Sequence, residues 1–157
     1  MKKFLVALVL VGLMAGTVLA DGTVTVTSDH TFTASGIPTV REIVLTCVGD
    51  ASDGSIPDTT LYNMTNLAKP LTGWYLLRIK IKNVAAEANV TDNSDVYIKD
   101  SDGVDYLNGD GVDQLDDSTT NYIRLGDYDP IADNPVLDVD NQSVVSGKYY
   151  ITLILGI

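Results

Sequence analysis

The sequence is poor in the residues that most catalytic and metal sites need. Its 157 residues include one histidine, His30, and one cysteine, Cys47. Zinc sites draw most of their ligands from several histidines and cysteines, so the composition argues against zinc. A Ser-His-Asp triad would have to use Ser28 beside His30, and no nucleophile-elbow motif surrounds that serine. Only the paired carboxylates of glycosidases are available by number, and we predict a non-enzymatic protein.

The single cysteine excludes any disulfide within one chain. Cys47 follows Ile43 and Leu45 at a spacing of two residues, which places all three on one face of a strand. A small buried thiol is the prediction, because cysteine behaves as a small apolar residue in protein cores. An interchain disulfide is the alternative.

Basic residues are also scarce, with 10 Lys and Arg against 21 Asp and Glu and a formal net charge of −11. Proteins that bind the phosphates of nucleic acids need clustered Lys and Arg, so nucleic-acid binding is excluded. A strongly acidic surface serves solubility, attracts metal ions or meets a cationic partner. These three uses stay open at the level of composition.

A long apolar run occurs only near the start of the sequence. Lys2 and Lys3 precede an apolar stretch over residues 4–19 that closes on the small residue Ala20. This layout predicts a secretory signal peptide over residues 1–20, with export to the periplasm, cell surface or medium and no stable membrane anchor after cleavage. The alternative is an uncleaved anchor, but the stretch is shorter than the ~20 residues that a spanning helix needs.

The remaining residues, 21–157, suffice for one domain and show strand periodicity without a convincing helix. Short alternating segments separated by Gly, Asp and Pro are typical of all-β domains. We therefore predict an all-β fold, a single-domain antiparallel β-sandwich or jelly roll. The predicted strands cover residues 23–27, 40–48, 74–82, 95–99, 121–125, 136–139 and 148–157.

The strand over residues 74–82 is expected to have one apolar face and one cationic face. Strict alternation directs Tyr75, Leu77, Ile79 and Ile81 inward. The opposite face then carries Leu76 and three basic residues, namely Arg78, Lys80 and Lys82. This cationic face pairs either with acidic neighbours in the same sheet or with acidic loops of another copy.

The last strand, residues 148–157, is apolar on both faces. Tyr149, Ile151, Leu153, Leu155 and Ile157 form one stripe. A strand of this kind is predicted to be central in a sheet or covered on both sides.

An acidic, glycine-rich segment spans residues 92–118 and repeats the pattern DGVDxL at residues 102–107 and 110–115. Carboxylate and backbone oxygens close to glycines suit calcium, although the spacing excludes an EF-hand. One hypothesis is an irregular calcium loop. The other is a pair of Asp-Gly turns pinned to the core by Val104, Leu107, Val112 and Leu115. The candidate calcium ligands are Asp100, Asp102, Asp105, Asp110 and Asp113.

Several of these motifs together resemble a known group of proteins. The order GWYLL (73–77), TDNSDV (91–96), DSDGVDYL (100–107) and NGDGVD (108–113) is similar to small all-β proteins encoded among the virion structural genes of tailed bacteriophages and prophages. The resemblance covers residues 41–157 and implies a non-enzymatic component of a particle. The predicted signal peptide departs from that pattern and leaves open a bacterial surface protein or an exported filament.

The combined prediction is an exported structural or assembly protein that acts by self-association or by docking to a larger protein assembly. The alternative is a secreted calcium-dependent carbohydrate-binding or adhesion module, since such modules hold sugars against exposed aromatic rings. The aromatic candidates for that alternative are Tyr97, Tyr122, Tyr128 and Tyr150.

Overall fold

The computed structural model describes residues 21–62, 64–84, 90–126 and 130–157. The predicted signal peptide and Tyr128 lie outside these residues. The described chain contains strands and turns only, and it has no helix long and apolar enough to cross a membrane. The strands are β1 (Thr23–Phe32), β2 (Val40–Val48), β3 (Thr59–Thr60), β4 (Tyr75–Asn83), β5 (Asp95–Lys99), β6 (Thr120–Arg124), β7 (Val136–Asp140) and β8 (Lys148–Gly156).

The strands form two antiparallel sheets, which confirms the predicted β-sandwich. The larger sheet has the order β1-β2-β8-β4-β6, and the smaller has the order β3-β7-β5. From β2 onward, each strand lies in the other sheet from the strand before it. The pairs β2–β8, β3–β7 and β4–β6 are therefore nested around β5. Nested antiparallel pairs distributed over two sheets are the arrangement of a jelly roll.

The period-two pattern located most of these strands. β2 and β5 have the predicted bounds, β7 extends one residue further, and β6 begins and ends one residue earlier than predicted. β1 continues five residues beyond its predicted end, through Asp29, a residue type depleted in strands, because it pairs with β2 along its whole length. The two-residue β3 lies outside the predicted strands.

The predicted inward face of β4 is wrong at its first residues. A β-bulge between Leu76 and Arg78 places Leu77 as an extra residue opposite β8. The bulge shifts the alternation, so Leu76 is buried in the core and Tyr75 is 37 % exposed. Leu77 instead lies over Gly156, where one of its methyl carbons is 2.8 Å from the position a Cβ would take. Beyond the bulge, Ile79 and Ile81 are buried as predicted.

The C-terminal strand β8 is central, as its two apolar faces predict. It pairs with β2 on one side and with β4 on the other. Tyr149, Ile151, Leu153 and Leu155 are fully buried, whereas Ile157 follows the strand and is 60 % exposed. The opposite stripe of β8 is half-buried.

The predicted buried thiol is confirmed. Cys47 has no exposed surface, and its cross-strand partner is Tyr149 of β8. Burial raises the pKa of Cys47 to about 12 and raises the pKa of Tyr149 well above its ordinary value. A thiol that is both protonated and inaccessible does not form the alternative interchain disulfide.

A buried arginine connects the larger sheet to the loop beneath it. Alternation with Ile43 places Arg41 on the inward face of β2, but no local pattern indicates that a buried cation finds partners there. Arg41 of β2 is fully buried, and its Nε and Nη2 donate to the two carboxylate oxygens of Asp29 on β1 at 2.9 and 2.7 Å. Nη1 and Nη2 also donate to the carbonyls of Pro70 and Lys69 at 3.0 and 2.6 Å. The guanidinium carbon lies 5.5 Å from the centre of the Trp74 ring.

The loop held by Arg41 closes the core where the smaller sheet ends. Three strands face five, so part of the larger sheet needs another cover. Leu61 and Leu71 are buried, and Met64 and Leu67 pack against the core between them. The amide of Ala68 also donates to Asp29, at 2.7 Å. The segment 61–71 thus replaces a strand beneath β1 and β2.

Replacing Arg41 with methionine is expected to cost about 3–5 kcal/mol of unfolding free energy, because Asp29 would keep a buried and unpaired charge. The double variant Arg41→Met/Asp29→Leu should lose less than Arg41→Met alone. Urea unfolding of the wild-type protein and both variants measures this. A double variant that is no more stable than Arg41→Met would contradict the account.

The same pair predicts acid sensitivity. The hydrogen bond from Arg41 lowers the pKa of Asp29 below its ordinary value of 3.8 in the folded protein. A lowered pKa stabilises the fold fully above about pH 4, and the contribution disappears as the pH falls through the folded pKa. The stability of wild type, followed by urea unfolding, should therefore decrease in this acid range more than that of Arg41→Met/Asp29→Leu. If the free energy of unfolding decreased equally with pH in both proteins, the Arg41–Asp29 pair would not be responsible for the acid sensitivity.

Candidate interaction surface

The outer face of the larger sheet carries a cluster of basic side chains, which we call the cationic face. It comprises the predicted residues Arg78, Lys80 and Lys82 of β4, together with Arg124 of β6, which the sequence analysis did not single out. Arg78 and Arg124 are direct cross-strand partners. Like charges directly opposite each other destabilise a sheet, so this arrangement does not arise from the needs of folding.

None of the four side chains of the cationic face is paired with a carboxylate of the residues that the structure describes. The ion pairs among the described residues are Arg41–Asp29 and Lys99–Asp138. The contacts recorded for the cationic face are with an aromatic ring, since Arg78 and Lys80 lie 5.8 and 5.9 Å from the centre of the Tyr122 ring. Tyr122 itself is 55 % exposed. The face therefore presents solvated positive charge around one accessible aromatic ring.

The cations continue into a half-buried, less polar area at the centre of the sheet. Lys80 is opposite Thr152 of β8, and Lys82 is opposite Tyr150. Val44 of β2 and Ile154 of β8 lie on the same outer surface and are half-buried. The surface thus combines a flat central area with positive charge along its β4–β6 side.

The acidic segment includes β5, and its residues 100–118 lie in the other layer of the sandwich, along the free edge of that strand. Backbone amides at alternate positions of this edge all find acceptors in the segment. Ser94 donates to the Leu115 carbonyl at 3.2 Å, and Val96 donates to the Gly111 carbonyl at 2.9 Å. Ile98 donates to a carboxylate oxygen of Asp105 at 3.2 Å. The segment therefore occupies the place of the strand that would pair with β5, and it covers an edge that would otherwise be open.

Two of the four predicted anchors of this segment are confirmed. Leu107 and Leu115, the last residues of the two DGVDxL copies, are fully buried. Val104 and Val112 are 64 % and 43 % exposed, so their predicted burial is wrong. Each DGVDxL sequence forms a turn, and its valine points away from the core where its leucine is buried.

The five predicted calcium ligands have two different roles. Asp100 accepts from the amides of Asp102 and Val104, and Asp105 accepts from the amides of Ile98, Leu107 and Gly109. These two carboxylates hold turns, as Asp side chains commonly do. Asp102, Asp110 and Asp113 are exposed, and their carboxylates accept no hydrogen bond from the described residues.

A different group of acids is the most compact among the described residues. The carboxylates of Asp92, Asp116 and Asp117 lie within 4.8 Å of one another, and no three of the predicted ligands do so. Asp116 accepts from the amides of Ser118 and Thr119 and from the Ser118 hydroxyl, at 2.7 to 2.9 Å. These bonds lower its pKa to about 2, so Asp116 stays charged beside its neighbours.

A shallow groove of about 760 Å³ runs between the acidic segment and the end of β6. Three predicted calcium ligands, Asp100, Asp105 and Asp110, are among its lining residues. Tyr106 also lines it, with its hydroxyl 3.4 Å from the amide of Ala132. Leu76, Leu107, Leu125 and Pro130 supply its apolar part.

The exposed tyrosines do not form one platform. Tyr97 lies in the smaller sheet, where the ammonium group of Lys99 is 4.8 Å from the centre of its ring. Tyr122 and Tyr150 belong to the larger sheet. The aromatic candidates that the structure describes are thus divided between two layers.

Comparison with protein families, with curated proteins and with solved structures found no match for this chain.

Gly111 is required where the acidic segment crosses β5. A Cβ at this position would lie 1.7 Å from the Val96 carbonyl oxygen, a distance at which the two atoms overlap. Gly111→Ala is therefore expected to lower the free energy of unfolding by about 1–3 kcal/mol or more. Gly126→Ala is the matched control, because no atom lies within 4 Å of its Cβ position. Equal melting temperatures for the two variants would contradict this role of the segment.

Proposed function

We propose that this protein is a non-enzymatic structural component that acts by docking through its cationic face. The observation that carries the proposal is the set of four unpaired basic residues on one sheet surface of a strongly acidic chain. Arg78 and Arg124 oppose each other at a cost to the sheet, and no described carboxylate relieves that cost. An anionic protein surface that covers the face would relieve it.

The positive charge of the cationic face acts first on how often an acidic partner encounters the protein and on how the partner is oriented. A concentrated positive area on a molecule of net charge −11 steers acidic surfaces toward one side of the sandwich and repels them elsewhere. Tyr122 and the half-buried centre of the sheet would supply apolar contact once the partner is in place. Tyrosine and arginine, which this face exposes together, are enriched in protein interfaces.

The setting of this function is proposed from the sequence. The cationic residues at the start of the chain and the apolar stretch after them support export, and the motifs of residues 73–113 support a component of a particle or filament. Jelly rolls occur both in viral capsids and in sugar-binding proteins, so the architecture alone does not select between them.

Docking through the cationic face predicts assembly that depends on charge. In low salt, the wild-type protein is expected to form species larger than a monomer, and raising the salt concentration should reduce them. Lys80→Glu should shift the protein toward the monomer, because it adds repulsion at the centre of the face. Size-exclusion chromatography with light scattering measures both effects.

Lys69→Glu is the matched control, since it makes the same charge change on the exposed segment beneath the opposite side of the sheet. It should leave assembly unchanged. Wild-type protein that stays monomeric in low salt, without binding any protein surface, would contradict the proposed function.

The groove beside Tyr106 supports a second candidate function, a calcium-dependent carbohydrate-binding or adhesion module. An aromatic ring next to three carboxylates and an apolar wall is a suitable surface for a sugar and a bridging cation. If this is correct, calcium should raise the melting temperature by several degrees, and Asp110→Asn should reduce that shift. Asp140→Asn, an exposed acid on β7, is the control. Identical melting curves in calcium and in chelator would exclude this function.

A further inference from the structure

We infer that the partner of the cationic face is the acidic segment, residues 92–118, of a second copy of the chain, docked head to tail. This inference rests on the proposed function and adds the identity of the partner and the geometry of the contact. It follows from three features: the charges of the two surfaces, their separation within one molecule and the difference between them.

The charges are complementary and both are available. The acidic segment contains nine aspartates and one basic residue, Lys99. Lys99 is already paired with Asp138 of β7, so it does not neutralise the segment. Asp92, Asp102, Asp110 and Asp113 are all exposed, whereas Asp95 is buried and accepts from the Asp113 amide. Four exposed carboxylates thus match four cations that no described carboxylate pairs.

The two surfaces do not form ion pairs with each other within one molecule. The cations point outward from β4 and β6 of the larger sheet, and residues 100–118 of the acidic segment follow the edge of β5 in the smaller sheet. The end of the segment reaches the larger sheet, since Asn83 and Asn121 donate to the carbonyls of Asp117 and Gln114 at 2.6 and 2.7 Å. No ion pair among the described residues joins the two surfaces, so their attraction stays available between copies.

Because the two surfaces differ, the contact between copies is heterologous. One copy offers its cationic face and the next offers its acidic segment, so a pair of copies retains one unused surface of each kind. Heterologous contacts produce closed rings or open filaments. The two surfaces lie on opposite layers of the sandwich, which favours a linear stack of copies.

A mixture of two complementary charge variants tests this inference. Lys80→Glu/Lys82→Glu cancels the net charge of the cationic face, because Arg78 and Arg124 remain. Asp102→Lys/Asp110→Lys cancels the net charge of the four exposed acids of the segment, because Asp92 and Asp113 remain, and neither replaced acid holds a turn. Each double variant alone has one charged and one neutralised surface and should remain monomeric. Mixed in equal amounts, the variants again offer an intact acidic segment and an intact cationic face, and light scattering should detect a species larger than a monomer.

Circular dichroism and melting temperature establish that each variant is folded before mixing. If either is not, the neutral pair Lys80→Gln/Lys82→Gln and Asp102→Asn/Asp110→Asn replaces it, and both members should weaken assembly of the wild-type chain. Wild-type assembly without recovery in the mixture, or without an effect of the neutral acidic variant, would overturn this inference and leave the proposed function standing. A wild-type protein that neither assembles nor docks would overturn both.

Discussion

The buried contact between Arg41 and Asp29 is the interaction on which the core beneath β1 and β2 of the larger sheet depends. Four hydrogen bonds from one guanidinium connect β1, β2 and the segment 61–71. Without that segment, the core beneath β1 and β2 would be open, because the smaller sheet has only three strands. An inward-pointing charge also protects an edge strand from pairing with other chains, and Asp29 places one on β1. The contact therefore closes the core and restricts where copies can associate.

The free edge of β5, on the other side of the smaller sheet, is covered in a different way. Nested pairing gives β5 one partner strand, β7, and leaves its other edge free. Residues 100–118 of the acidic segment cover that edge with two turns and two buried leucines. The backbone of Gly111 lies against the Val96 carbonyl, and this close approach fixes the position of the second turn on β5. Asp100 and Asp105 hold the turns, which leaves Asp102, Asp110 and Asp113 free at the surface. The repeat in the sequence thus has a structural cause, and its free acids are available for a second role.

Alternation predicted the positions of most strands, because it reports directly which face of a strand is buried. The bounds of β2 and β5 agree with the prediction. It failed at Tyr75 and Leu77, since a single bulge reverses the phase and has no signal in the side-chain pattern. It places Arg41 on the inward face beside Ile43, but it does not give the partners that make this burial possible, because they include carbonyls nearly thirty residues away. Arg124 could have been found, because it alternates with the buried Ile123 on a predicted strand, but its alignment with Arg78 depends on strand order. Neither sheet order nor register is encoded locally.

These features together describe a sandwich that carries acidic and basic surfaces, with no ion pair between them among the described residues. The central claim is that this separation of charge is used between molecules. Sedimentation velocity of the wild-type protein across a concentration series, in low and in high salt, tests it most directly. The account predicts a sedimentation coefficient that rises with protein concentration in low salt and returns to the monomer value in high salt. A coefficient that stays at the monomer value at every concentration and in both salts would contradict it.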